Sequence, residues 1–248
     1  MSALAQVFAQ VLDFLYPPRC AACGTPLASE AGRRVCARCV ARVERMPEPR
    51  CEVCGGPVES AVSEQSRCAR CLAHPPRYRN AHTVARYRTT AEDEPGSLPA
   101  LIRRHKYGLD QSVGRALVEY LGDELPISAD DYDVVIPVPL HWRRLWWRGF
   151  NQAALLAGEV ARRLNLPLDT TAMSRRRFTT PQTSRHHDER IRNVRRAFAV
   201  TNPERIKNRR VLIVDDVMTT GATVDECARV LLAAGAAHVD VFTLARVL

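Results

Sequence analysis

From about residue 80 onward, the apolar positions of this chain switch repeatedly between two rhythms. "AHTVARYR" (81–88) alternates as a strand does, whereas "SLPALIRRHKY" (97–107) and "QSVGRALVEYLGDEL" (111–125) space their apolar residues three and four apart, as helices do. "DVVIPVPL" (133–140) reads as a strand closing in prolines. "NQAALLAGEVARRLN" (151–165) reads as a helix with its apolar face at Leu155, Leu156, Val160 and Leu164. A strand near "TTAMS" (170–174), a strand "RRVLIVDD" (209–216), a helix over 222–234 and a strand "HVDVFTLARV" (238–247) complete the pattern. Strands alternating with helices predict an α/β fold with a mostly parallel sheet flanked by helices. Ligands of such sheets sit at the carboxyl ends of the strands.

The first 76 residues are organised differently. Leu4, Val7, Phe8, Val11, Leu12 and Leu15 fit one face of a short N-terminal helix, and the segment lacks the basic start of a signal peptide. No apolar run reaches the roughly 18 to 20 residues that span a bilayer, so a cytoplasmic protein without membrane insertion is expected. Eight of the nine cysteines then form four CxxC pairs, Cys20/Cys23, Cys36/Cys39, Cys51/Cys54 and Cys68/Cys71. In a reducing compartment this spacing argues for two tetrahedral, structural Zn2+ sites rather than disulfides. Four pairs can share two metals in three ways. Because "CAACGTPL…CARCV" is repeated as "CEVCGGPV…CARCL", each copy closes most simply on its own ion, Cys20, Cys23, Cys36 and Cys39 on one and Cys51, Cys54, Cys68 and Cys71 on the other. Gly24 and Gly55 follow the second ligand of each copy and suit the tight turn that aims amides at sulfur. Cys227, alone in a helical pattern, reads as a core residue. The paired prolines of "AHPPRYRN" (73–80) place the domain boundary, giving a helix with a double zinc-ribbon-like module over 1–76 and a second domain over 77–248.

Charge narrows the partners. Net charge is +9, and the whole excess lies in residues 140–197, where 13 arginines face 4 acids. Arginine forks match phosphate oxygens, so a polyanion is the implied partner, although a solvated arginine surface would account for the same count. The three tryptophans, Trp142, Trp146 and Trp147, stand among Arg143, Arg144 and Arg148. They suit stacking on single-stranded nucleic acid or a nucleobase, and equally the packing of a loop. His186, His187, Asp188 and Glu189 are adjacent in sequence, so they cannot converge on one ion from a single element.

"VLIVDDVMTTGAT" (211–223) carries the most chemistry. A buried strand delivers Asp215 and Asp216 to its carboxyl end, where they suit vicinal hydroxyls or a metal brought by a sugar phosphate. "MTTGAT" then turns into a helix, and its amides with the Thr219, Thr220 and Thr223 hydroxyls suit a phosphate at the helix N-terminus.

These residues resemble the PRPP-binding signature of type I phosphoribosyltransferases (PRPP, 5-phosphoribosyl 1-pyrophosphate). With the double CxxC module, "RRHKYG" (103–108), "IPVPLHWRRLWWRGFNQA" (136–153) and "QTSRHHDERIRNVRRAF" (182–198), the layout resembles the ComF (ComFC/GntX) family. The resemblance implies that Asp215 and Asp216 meet the ribose hydroxyls as catalytic residues. It places the 5-phosphate at Val217, Met218, Thr219, Thr220, Gly221, Ala222 and Thr223, and the pyrophosphate at Arg143, Arg144 and Arg148. A hood loop over 175–196 would bring Arg177 and Arg190, and Mg2+ would accompany PRPP. It further implies a role in DNA uptake during natural transformation, with single-stranded DNA and a DNA-uptake helicase or another competence protein as partners. Three readings stand: a transferase with an unidentified acceptor, a PRPP-site fold that binds DNA, and a zinc module tethered to an inactive transferase fold.

Overall fold

The computed structural model describes residues 18–27, 32–58, 67–92, 94–107, 111–121, 125–178, 192 and 194–248. The expected N-terminal helix, Arg190 and the His186–Glu189 cluster lie outside them. Two compact units are present, one of residues 1–43 and 90–120, the other of 44–89 and 121–248. They cut across the expected division at 76/77, because each takes one of the two four-cysteine clusters.

The smaller unit holds the first cluster, the short helix α1 (Ala37–Ala41) and the helices α3 (Leu98–Tyr107) and α4 (Gln111–Val118). Polar contacts join the cysteine loop to the helical part. The Glu119 carboxylate accepts from the amides of Arg34 (2.6 Å) and Val35 (3.0 Å), and Arg104 donates to the Ala21 carbonyl at 2.6 Å. Tyr120 is fully buried beside them.

The larger unit is built on a parallel sheet of four strands, β1 (Ala81–Tyr87), β2 (Val134–Pro137), β5 (Arg210–Met218) and β6 (His238–Val247), in the order β1-β6-β5-β2. Val211 to Val214 are completely buried, as the unbroken apolar run of a central parallel strand requires. The edges are covered: Arg86 donates to the Glu44 carbonyl outside β1, and Val135 exchanges bonds with Pro167 and Asp169 outside β2. Helix α6 (Gln152–Leu164) packs on β2 and β5 through Leu156, Ala157, Val160 and Ala161, and starts from Asn151, whose Oδ1 accepts the Ala153 amide. Helix α7 (Ala222–Ala233) buries Val224, Cys227, Ala228 and Leu231 in the main core. Cys227 is thus a core residue, and burial pushes its thiol well up, which makes it inert.

The antiparallel pair β3 (Met173–Arg175) and β4 (Phe198–Val200) frames the segment between them. Here two sequence expectations change. The strand expected near 170–174 begins at Met173. The residues after β2, expected as a loop, form the helix α5 (Trp142–Arg148), started by His141 and stopped by Gly149. Among the described residues no helix is long and apolar enough to cross a membrane.

Candidate functional site

The second cysteine cluster, with its short helix α2 (Ala69–Ala73), belongs to the larger unit. In each cluster the four sulfur atoms lie within 4.8 Å of one another. A tetrahedral ion with Zn–S near 2.3 Å needs sulfur separations of about 3.8 Å. Cys23 and Cys36 are 3.8 Å apart, and Cys54 and Cys68 are 3.7 Å apart. Backbone donors complete the fit. The Cys36 amide donates to Cys20 Sγ at 3.3 Å. Burial works against a thiolate at Cys51, but the amides of Cys54, Cys68 and Val53 outweigh it and bring the thiol down to about 7. Burial and the neighbouring thiols push Cys39 and Cys71 up, a conflict that a divalent cation removes. The two four-cysteine clusters fit two structural zinc ions, and the four residues grouped in each are those of one sequence repeat.

The acidic pair sits where the sheet opens. β2 leaves β5 after the Val138 amide donates to the Val214 carbonyl (2.9 Å), so among the described residues only β6 accompanies β5 beyond Val214. The strand does not end at the acids, as the sequence suggested, but runs on to Met218 because Asp215, Val217 and Met218 remain paired with Thr243, Ala245 and Arg246. Asp215 is half-buried on the face that carries Val211 and Ile213 against Cys227, while Asp216 is buried. Each carboxylate accepts the next amide, Asp216 N at 2.9 Å and Val217 N at 2.7 Å.

Thr219 to Gly221 then turn into α7. Gly221 holds φ at +79° as the residue before the helix, and the Thr220 hydroxyl accepts the Ala222 amide at 3.3 Å. Thr223 lies in the first turn, so the loop offers amides and hydroxyls around one helix start.

Arginines cluster on α5, the helix that follows β2. Arg143 stacks on Trp142 and on Phe178, with the guanidinium carbon 5.3 and 5.8 Å from the ring centres, and Arg144 reaches Phe178 at 5.8 Å. Arg148 closes the same helix. Arg177 donates to the Arg192 carbonyl at 3.2 Å, bridging the two ends of the segment expected as the hood. Gln152 is buried at the start of α6, and its Nε2 has no partner among the described residues, an unusual state for a buried amide.

Several residues here escaped sequence reasoning. Arg175 of β3, half-buried, lies close enough to Asp215 for the two charges to interact, although desolvation depresses its pKa first. Arg70 of α2 donates to the Thr220 carbonyl, and Tyr78 places its hydroxyl 3.4 Å from where a Cβ at Gly221 would stand. Arg246, buried at the end of β6, donates to the Cys54 carbonyl. Arg70 and Thr220 are 150 residues apart in the chain and Arg246 and Cys54 are 192 apart, so no local pattern marks them.

A parallel sheet whose strand β5 carries an acid pair near its carboxyl end and runs into a threonine loop at a helix start, with a double four-thiolate module in the same chain, defines a protein of the phosphoribosyltransferase type with zinc ribbons. Residues 151–248 match the phosphoribosyl transferase domain and residues 11–72 the double zinc ribbon domain. The chain is 38% identical over 186 residues to the DNA utilization protein YhgH of Shigella flexneri, covering 73% of this chain and 78% of that one. It is 35% identical over 240 residues to the protein of that name from Salmonella typhimurium, covering 94% and 98%. Competence protein F of Haemophilus influenzae is 31% identical over 191 residues, covering 72% and 78%. The chain belongs to the ComF family.

Proposed function

We propose that this protein binds PRPP in the opening between β2 and β5 and serves DNA uptake in the cytoplasm. The observation that carries this reading is the continuity of Asp215 and Asp216 with the segment 217–223, which closes a central parallel strand, turns at Thr219 to Gly221 and opens a helix. The ribose hydroxyls meet the acid pair, and the 5-phosphate meets the amides and hydroxyls of Val217 to Thr223. Arg143, Arg144 and Arg148 face the pyrophosphate, and the hood, with Arg177 and Arg190, excludes water. Mg2+ bound with PRPP supplies further positive charge for the leaving group. In transfer, the bond from ribose C1 to the pyrophosphate oxygen breaks with its electron pair leaving on pyrophosphate, and an acceptor nucleophile forms the new bond at C1. The names of its relatives, a DNA utilization protein and a competence protein, support the biological role.

The test is calorimetric titration of zinc-loaded protein with PRPP, with and without Mg2+. Mg2+-dependent binding that disappears in Asp215→Asn/Asp216→Asn, with zinc content unchanged, is expected. Unaltered affinity in the double variant would refute the site.

A second reading rests on α5. Trp142, Trp146 and Trp147 are 65%, 85% and 53% exposed beside three arginines, a surface suited to stacking on bases of single-stranded DNA. They are the only tryptophans in the chain, so fluorescence excited selectively at tryptophan reports this helix alone. Quenching by an oligonucleotide, weakening steeply with salt, is expected. No quenching at low salt removes this reading.

A further inference from the structure

The second zinc cluster reaches into the loop that the proposed function assigns to the 5-phosphate. Helix α2 spans five residues, and in it Arg70 directly precedes the ligand Cys71. Its guanidinium donates to the carbonyl of Thr220. Three further contacts, two of the same ribbon and one of the segment that follows it, reach the elements around that loop. The Arg77 amide donates to Asp225 Oδ1 of α7 at 2.5 Å, Arg246 at the end of β6 donates to the Cys54 carbonyl, and the Ala81 amide of β1 donates to the Val53 carbonyl at 2.8 Å. A groove of about 660 Å3 runs between ribbon and loop, lined among others by Arg70, His74, Tyr78, Arg195 and Gly221.

The consequence follows from the peptide bond itself. The Thr220–Gly221 peptide is trans, so its C=O and N–H point in opposite directions. Arg70 grips the oxygen, and the Gly221 N–H is therefore directed away from the ribbon. Among the described residues that N–H donates to no backbone carbonyl. A cation on the carbonyl also polarises the peptide and strengthens its N–H as a donor. Gly221, at φ +79°, is the hinge at which the peptide plane would otherwise rotate.

We infer that Arg70 is a positioning residue: held by the second zinc cluster, it fixes and polarises the Thr220–Gly221 peptide so that the Gly221 amide faces the 5-phosphate. This rests on the proposed PRPP site. It gives the second ribbon a task in ligand binding.

The experiment compares two ligands that divide PRPP between them, ribose 5-phosphate and inorganic pyrophosphate with Mg2+, on wild type, Arg70→Ala and Arg70→Lys, each carrying two zinc ions. Losing one oriented hydrogen bond should weaken ribose 5-phosphate about five- to tenfold in Arg70→Ala. Pyrophosphate, which meets α5 and the hood, should be unchanged, and Arg70→Lys should recover part of the loss. Should the alanine variant lose zinc, Arg70→Gln, which keeps most of the stem, takes its place. Equal ribose 5-phosphate affinity in wild type and variant overturns the inference alone, as does an equal loss for both ligands, which marks general disruption. Wild type that binds neither ribose 5-phosphate nor PRPP overturns the PRPP site and this inference together.

Discussion

The two ribbons contain a built-in pair of controls. Gly24 and Gly55 hold the same place in the two repeats, each after the second cysteine, with φ of +76° and +66°. Alanine at either position incurs the left-handed strain of an L residue, about 1–2 kcal/mol. Their surroundings differ. A Cβ at residue 24 would meet nothing within 4 Å, whereas one at residue 55 would stand 2.5 Å from the Ala81 carbonyl oxygen. That oxygen belongs to β1, which is hydrogen-bonded to β6 along its length and cannot retreat, so overpacking adds about 1–3 kcal/mol. Gly24→Ala should therefore cost about 1–2 kcal/mol and Gly55→Ala about 2–5 kcal/mol. Urea denaturation of the zinc-loaded proteins, followed by far-UV circular dichroism with zinc release into a chelating dye, measures both. Equal losses in the two variants would show that the second ribbon is not seated on β1 as described.

Further outcomes are expected. Cys20→Ser should leave one zinc per chain, because each repeat closes its own site; elemental analysis showing both ions lost contradicts that grouping. His141 caps α5 by accepting the Arg143 amide at 3.3 Å on Nδ1, and burial, then the charges of Arg143, Arg175 and Arg144, hold its pKa below the usual value, against a weaker opposite pull from the Arg176 backbone. Such a histidine is neutral when folded, so its contribution is full above about pH 6.5 and is lost as pH falls through the folded pKa. The melting temperature should fall over that window, and less so in His141→Asn, which keeps a cap; an identical pH profile in the variant refutes the assignment. Trp146→Ala should reduce oligonucleotide affinity without altering PRPP titration, and a combined loss would tie the two surfaces together.

The sequence exposed the parts whose chemistry is local. Paired cysteines at short spacing declare their ligand sets, and an apolar run followed by acids, threonines and glycine declares a strand, a loop and a helix start. What escaped it depends on partners far along the chain. β5 outlasts its acid pair only because β6 continues beside it, which nothing in "VLIVDD" records. Helix α5 shows no apolar stripe, since its tryptophans face solvent, so its helicity is set by the His141 cap and the Gly149 stop. Arg70 looks like one more ribbon arginine until the fold brings Thr220 to it.

The interleaving of the two units bears on how this protein can be dissected. A chain cut at 76/77 would leave the first ribbon without Glu119 and Arg104, which hold its loop, and the sheet without the segment that covers the edge of β1. Neither half would keep its own supports. Gene fragments ending there should give insoluble or zinc-poor products, and a duplicated ribbon whose two copies are embedded in different units cannot be shuffled between proteins as a cassette.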